Sequence, residues 1–140
     1  MSANLSINLG LHFNGECEAA FKFYERCFGA KTRMLLAWGS SPLAAQAPPG
    51  FGAKILHASL PIGGTVLTGG DVAPAHYAPP RGFGIQIGVD DVDEAERLFA
   101  MLAEGGTVGM PLQETFWARR YGVVVDRFGI PWEINCEKPV

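Results

Sequence analysis

The chain repeats itself weakly, and this constrains its fold more than any single residue does. Laying residues 8–36 over 84–112 brings Ala19 onto Ala95, an offset of 76 positions. Leu9, Leu11 and Phe13 then meet Ile85, Ile87 and Val89, while Phe23 meets Phe99, Gly29 meets Gly105, Met34 meets Met110 and Leu36 meets Leu112. Residues 57–68 fall on 122–133 at a shorter offset of 65, with Gly64 on Gly129. The two offsets differ by 11, so the first copy carries that many extra residues between its third and fourth elements. Duplication at this period predicts two similar modules packed side by side, with the natural ligand site between them.

Local patterns supply the elements of each copy. Residues 5–13 alternate, with Leu5, Ile7, Leu9, Leu11 and Phe13 on one face, and this period of two predicts a half-buried strand. Helical spacing follows through Ala19, Ala20, Phe23, Tyr24, Cys27 and Phe28, closed by Gly29. Residues 32–38 read as a strand, 40–52 as an aperiodic loop rich in Pro, Ala and Gly, and 54–61 with 64–69 as a hairpin about Gly63 and Gly64. Residues 71–82 read as the linker, with Asp71, at the end of the fourth strand, capping a turn. The second copy gives a strand at 83–89, whose apolar face is Phe83, Ile85, Ile87 and Val89. A helix follows, capped by Asp90 and Asp91 and buried through Val92, Ala95, Phe99 and Leu102, with Gly105 as its C-cap. Strands at 107–113, 121–126 and 131–136 complete it, the last two joined by a turn at 126–129. Each module is βαβββ and the fold class is α+β: one domain over 1–140, with modules at about 4–71 and 83–136.

Charge and cysteine content exclude several function classes. A formal net charge of −3, and no Lys/Arg cluster beyond the pair Arg119 and Arg120, argue against a nucleic-acid partner. No apolar run approaches membrane length, and residues 1–14 lack the pattern of a signal peptide. Cys17, Cys27 and Cys136 are an odd number without metal-type spacing, which favours buried reduced thiols in a cytoplasmic protein. The paired glycines at 63–64 and 69–70 open no helix, so no phosphate loop and no nucleotide-cofactor methyltransferase is indicated.

The C-terminal run makes a more specific statement. Gln113, Glu114, Thr115, Phe116 and Trp117, then Tyr121 and Gly122, then Asp126 to Gly129, then Trp132 to Asn135, resemble the PhnB-type branch of the vicinal oxygen chelate superfamily. Phe13, Asn14 and Gly15 followed by Phe23 and Tyr24, and the pair His57 and Ala58, fit the same pattern. That superfamily includes glyoxalase I, bleomycin resistance proteins and extradiol dioxygenases. The resemblance spans nearly the whole chain except the loops at 40–53 and 72–82. It implies paired βαβββ modules forming a curved sheet with helices outside, and a homodimer.

In superfamily enzymes, four ligands from the first and fourth strands of the two modules hold a divalent metal. Carried onto this chain by the repeat alignment, the positions are Asn8, Thr68, Gly84 and Glu133. Only Glu133 is a standard donor, so the expectation is a site without a tightly held metal and with no other cofactor. If a metal binds, Glu133 and His12 are its candidates, a one-residue bulge bringing His12 nearer.

The candidate cleft residues are His12, His57, Gln86, Glu114, Trp117, Arg119, Tyr121 and Glu133. Aromatic rings beside an acid and a fixed cation suit a flat or amphipathic ligand; the competing reading places Phe116 and Trp117 in packing, with Glu114 and Arg119 in solvent. His57 reads equally as a strand histidine satisfied by backbone. The leading expectation is a PhnB-type protein binding a small organic molecule. The rival is a metal-dependent lyase, isomerase or dioxygenase using Glu133 with His12 or His57, and a third reading is an interaction module without a small ligand.

Overall fold

A computed structural model describes residues 4–139 of the chain. They form two compact units, one ending at Tyr77 and the other starting at Ala78. The first contains β1 (Leu9–Phe13), α1 (Cys17–Phe28), β2 (Met34–Ala37), β3 (Ile55–Ile62) and β4 (Thr65–Asp71). The second contains β5 (Ile85–Gly88), α2 (Val92–Ala103), β6 (Thr107–Gln113), β7 (Ala118–Val125) and β8 (Pro131–Glu137). Each is βαβββ, with sheet orders β1-β4-β3-β2 and β5-β8-β7-β6. In both, the first strand runs parallel to the fourth and all other pairs are antiparallel. The predicted α+β class and the repeat are therefore observed.

In each unit the helix covers one face of its sheet. Leu11, Phe13, Ala58, Leu60 and Leu67 meet the buried side of α1, where Phe21 sets its ring edge-on to Phe13 at 6.2 Å between centroids. In the second unit Ala95, Leu98, Phe99 and Leu102 of α2 are buried with Ile85, Val124, Trp132 and Ile134. Because strand side chains alternate, these assignments fix which residues occupy the opposite, helix-free faces.

Several expected boundaries move. The first strand begins at Leu9, not residue 5: Leu5 and Ile7 are 81% and 86% exposed. Alternation is not sufficient where no neighbouring strand pairs, and β4 meets β1 only from Leu9 opposite Leu67. Phe83 likewise lies outside β5 and is exposed. On α1, Cys17 and Phe21 are buried and Ala19 is exposed, so the stripe is rotated from the one expected. Gly29 does cap α1, at φ 61° and ψ 32°, its N–H donating to the Glu25 carbonyl. The second helix ends differently: Glu104 is its C-cap in extended backbone, and Gly105 takes positive φ one residue later. The aperiodic loop holds two short 3-10 turns at Trp38–Ser40 and Ala44–Gln46, and β7 starts at Ala118.

The two helix N-termini are satisfied by different means. Asp91 caps α2 locally, accepting from the Glu94 N–H at 3.1 Å. No side chain of the residue preceding α1 caps that helix. Its first N–H, of Cys17, donates instead to Asp71 Oδ1 at 3.0 Å, while Asp71 Oδ2 accepts from Ile55 N–H at 2.9 Å. Asp71 ends the fourth strand as expected, but it is buried and caps α1 rather than a turn. Burial, then the Asp71 charge, then Glu18, push the Cys17 thiol far above its ordinary range. All three cysteines are buried, and none is in a disulfide among the described residues.

Candidate functional site

The helix-free face of the second sheet gathers four of the expected residues. Parallel pairing sets Gln86 beside Glu133, and antiparallel pairing sets Tyr121 beside Asn135, two residues along β8 from Glu133. The Tyr121 hydroxyl donates to Glu133 Oε1 at 2.9 Å, and the Gln86 amide donates to the same oxygen at 3.3 Å. Partial burial, the bond to Glu133 and its charge hold the Tyr121 phenol above its ordinary range. Trp117 lies edge-on to Tyr121, centroids 5.1 Å apart, with its indole N–H donating to Asn135 Oδ1 at 3.1 Å. Phe116 meets Trp117 edge-on at 4.9 Å and is 89% exposed.

Gly84 belongs to this arrangement although it offers no side chain. A Cβ there would stand 2.5 Å from Glu133 Oε2 and 3.0 Å from its Cγ, so the bare backbone leaves the room that the carboxylate fills. The role of Asn135 was legible from its period-two relation to Glu133. That Gly84 leaves room on this face follows from its place in the alternation; that the Glu133 carboxylate fills that room shows only in the packing.

Two expected residues lie apart from the network. Glu114 is exposed and paired with Lys138 at 2.9 Å. The hydrogen bond and charge of that lysine hold its carboxyl below the ordinary range. Arg119 sits beyond Gln86, donating to the Asp90 carbonyl at 2.7 Å and the Glu137 carbonyl at 3.0 Å. It lines an open cavity of about 500 Å³ with Gln86, Asn135 and Lys138. Arg120 reaches the other face and pairs with Glu96 of α2 at 3.4 Å.

The first unit places His12 and His57 together. His12 pairs with Gly70, and His57 precedes Ala58, whose partner is Gly69. Both histidines line a cavity of about 200 Å³ with Gly10, Trp38 and Thr68. A Cβ at Gly70 would meet the Leu56 carbonyl oxygen at 2.5 Å, so only glycine fits between these strands. The one irregularity here is at Leu56, where His57 pairs with Leu36 but Ile55 pairs with Ala37. Strand β1 runs in unbroken register, so the bulge that was to bring His12 toward a metal is absent from β1.

The side chains at the four metal positions are otherwise engaged or missing. Asn8 Oδ1 accepts from Val66 N–H at 3.0 Å, and the Thr68 hydroxyl donates to the Leu9 carbonyl at 3.3 Å. Position 84 has no donor, and Glu133 Oε1 receives two hydrogen bonds. Among the described residues no three His, Cys, Asp or Glu side chains converge as a metal group. This donor set does not fit a divalent ion of the superfamily type.

The model of the Glyoxalase/Bleomycin resistance protein/Dioxygenase superfamily matches residues 9–134. This chain belongs to that superfamily. It is 36% identical over 136 residues to Protein YjdN of Escherichia coli K12, covering 91% of this chain and 92% of that one. The solved structure of protein PA1353 from Pseudomonas aeruginosa is 42% identical, with a TM-score of 0.84 over 96% of this chain and all of the other. A PhnB protein from Bacillus cereus, at 21% identity, shares the fold with a TM-score of 0.78 over 94% of this chain and 99% of its own. Among the described residues of this superfamily member, no helix is long and apolar enough to cross a membrane.

Proposed function

We propose that this protein is a PhnB-type binder of a small organic molecule, held against the helix-free faces of its modules without a tightly bound metal. One observation carries the reading: Glu133, a half-buried carboxylate, is oriented by Tyr121 and Gln86 at the foot of an aromatic wall formed by Trp117. A structural carboxylate would satisfy itself with backbone or a cation; this one is held by neutral donors on a face that α2 does not cover. The histidine-lined cavity of the first unit is the second surface offered to a ligand.

Titration of the wild type and Glu133→Gln with a panel of small anions, aromatics and thiol conjugates tests this. A bound compound should perturb Trp117, and its affinity should change in the variant while stability stays nearly constant, because Glu133 is outside the core. A compound that binds both proteins equally and maps to the outer, helical faces would refute it.

We further propose a cytoplasmic homodimer. Three buried cysteines outside any disulfide suit a reducing compartment. The edge strands β2 and β6 expose Met34, Leu35, Val108 and Met110, apolar surface of the kind a closed two-fold dimer covers. Light scattering should give about twice 15.0 kDa.

A further inference from the structure

Accepting the site just proposed, we infer that its ligand class is an organic cation: an amine or quaternary ammonium carried on an apolar or aromatic frame. The charge arrangement around Glu133 carries this. Both hydrogen bonds to the carboxylate end on Oε1 and come from neutral donors. Oε2 accepts no hydrogen bond from the described residues and fills the space that a Cβ at Gly84 would take. One oxygen of the carboxylate is therefore left for a donor or positive charge from outside the chain.

The cations of the neighbouring strands are committed elsewhere. Arg119 is held by the carbonyls of Asp90 and Glu137, Lys138 by Glu114, and Arg120 by Glu96 on the helix side. A half-buried carboxylate without a counter-charge attracts one, and the chain's net charge of −3 adds to that field.

The aromatic wall selects the kind of cation. Trp117 is pinned through its indole N–H to Asn135 yet remains 41% exposed, and it stands against Tyr121, which touches the carboxylate. Indole faces attract cations most strongly among the aromatic side chains. An alkylated or aromatic cation loses little hydration on entering, so it gains from both the rings and the charge. A carboxylate or phosphate ligand would meet Glu133 with the wrong sign.

The test uses three probes that share a phenyl ring and differ in charge, benzyltrimethylammonium, benzyl alcohol and benzoate, titrated into the full-length protein while following the Trp117 indole N–H by NMR. Trp117→Phe assigns that resonance among the three tryptophans. Benzyltrimethylammonium should shift it and bind at least about tenfold more tightly than either other probe, since charge attraction to the carboxylate together with a cation–π contact is worth about that factor. Glu133→Gln should remove that preference by weakening benzyltrimethylammonium binding. If benzoate or benzyl alcohol shifts Trp117 with equal or greater affinity, the cation inference is overturned while the small-molecule site stands. Cation binding that Glu133→Gln leaves intact overturns it too. If probes bind only away from Trp117, or no probe binds up to its solubility limit, the cation inference falls. Binding mapped to the helical faces removes the site reading as well.

Discussion

Replacing Gly84 by alanine asks whether the carboxylate is positioned as the geometry indicates. The new Cβ would lie 2.5 Å from Glu133 Oε2 and 3.0 Å from Cγ, against an ordinary contact limit of 3.4 Å. The carboxylate must therefore move by about 0.9 Å, the difference between those two distances. A shift of that size stretches or breaks the 2.9 Å bond from the Tyr121 hydroxyl. Losing a hydrogen bond to a partly exposed carboxylate costs about 1 kcal/mol, and restricting the unfolded backbone returns about 0.4–1 kcal/mol, since Gly84 does not need positive φ. Net stability should thus change by less than about 1 kcal/mol in urea unfolding. The local signature should be large by comparison. Tyr121 should ionise at lower pH than in the wild type, read by ultraviolet difference titration and assigned with Tyr121→Phe, because two of the three causes of its raised value come from Glu133. Gly122→Ala is the contrast. There the Cβ would stand 2.6 Å from Phe99 Cε1 and 3.0 Å from the Leu112 Cα, inside the core, and a loss of about 2–3 kcal/mol is expected. A destabilisation of Gly84→Ala as large as that of Gly122→Ala, or an unmoved Tyr121 titration, would refute the assignment of Gly84 as the seat of Glu133.

Other outcomes follow from the same structure. Asp71→Ala should destabilise by about 3 kcal/mol, because two buried backbone donors, of Cys17 and Ile55, lose their acceptor; a loss below 1 kcal/mol would show that other groups satisfy them. Asp91→Ala should cost about 1 kcal/mol through the lost cap of α2, seen as faster amide exchange at Glu94. The Thr32 backbone and side chain hold Glu25 below its ordinary range, the backbone N–H meeting Oε2 at 2.7 Å. This depressed group contributes stability above its unfolded value that is lost as pH falls through its folded value, so Glu25→Gln should flatten the acid limb of the stability curve. The contribution is small, because solvent screens the pair. Purified protein should carry far less than one divalent metal per chain by plasma mass spectrometry. Stoichiometric metal bound through Glu133 and a histidine would restore the metalloenzyme reading.

What the sequence determined by itself was whatever depends on neighbours along the chain. Strand periodicity put His12 and Gln86 opposite Leu11 and Ile87, and the same rule separated Glu133 and Asn135 from Trp132 and Ile134. Asp91 announced the start of α2 because its partner is three residues away, and Gly29 announced the end of α1 because positive φ favours glycine. Tertiary structure decided everything that depends on a partner remote in sequence. Leu5 and Ile7 alternate as well as Leu11 and Phe13 do, yet among the described residues no strand pairs with them, and an unpaired backbone is not a strand. The cap of α1 comes from Asp71, 54 residues away, and no local pattern encodes such a bond. Glu133 meets Gln86 across 47 positions and Tyr121 across 12, while Glu114, next to the same aromatic segment in sequence, turns to Lys138. Alternation says which face a side chain takes; strand register, set by the packing of whole sheets, says whom it meets there.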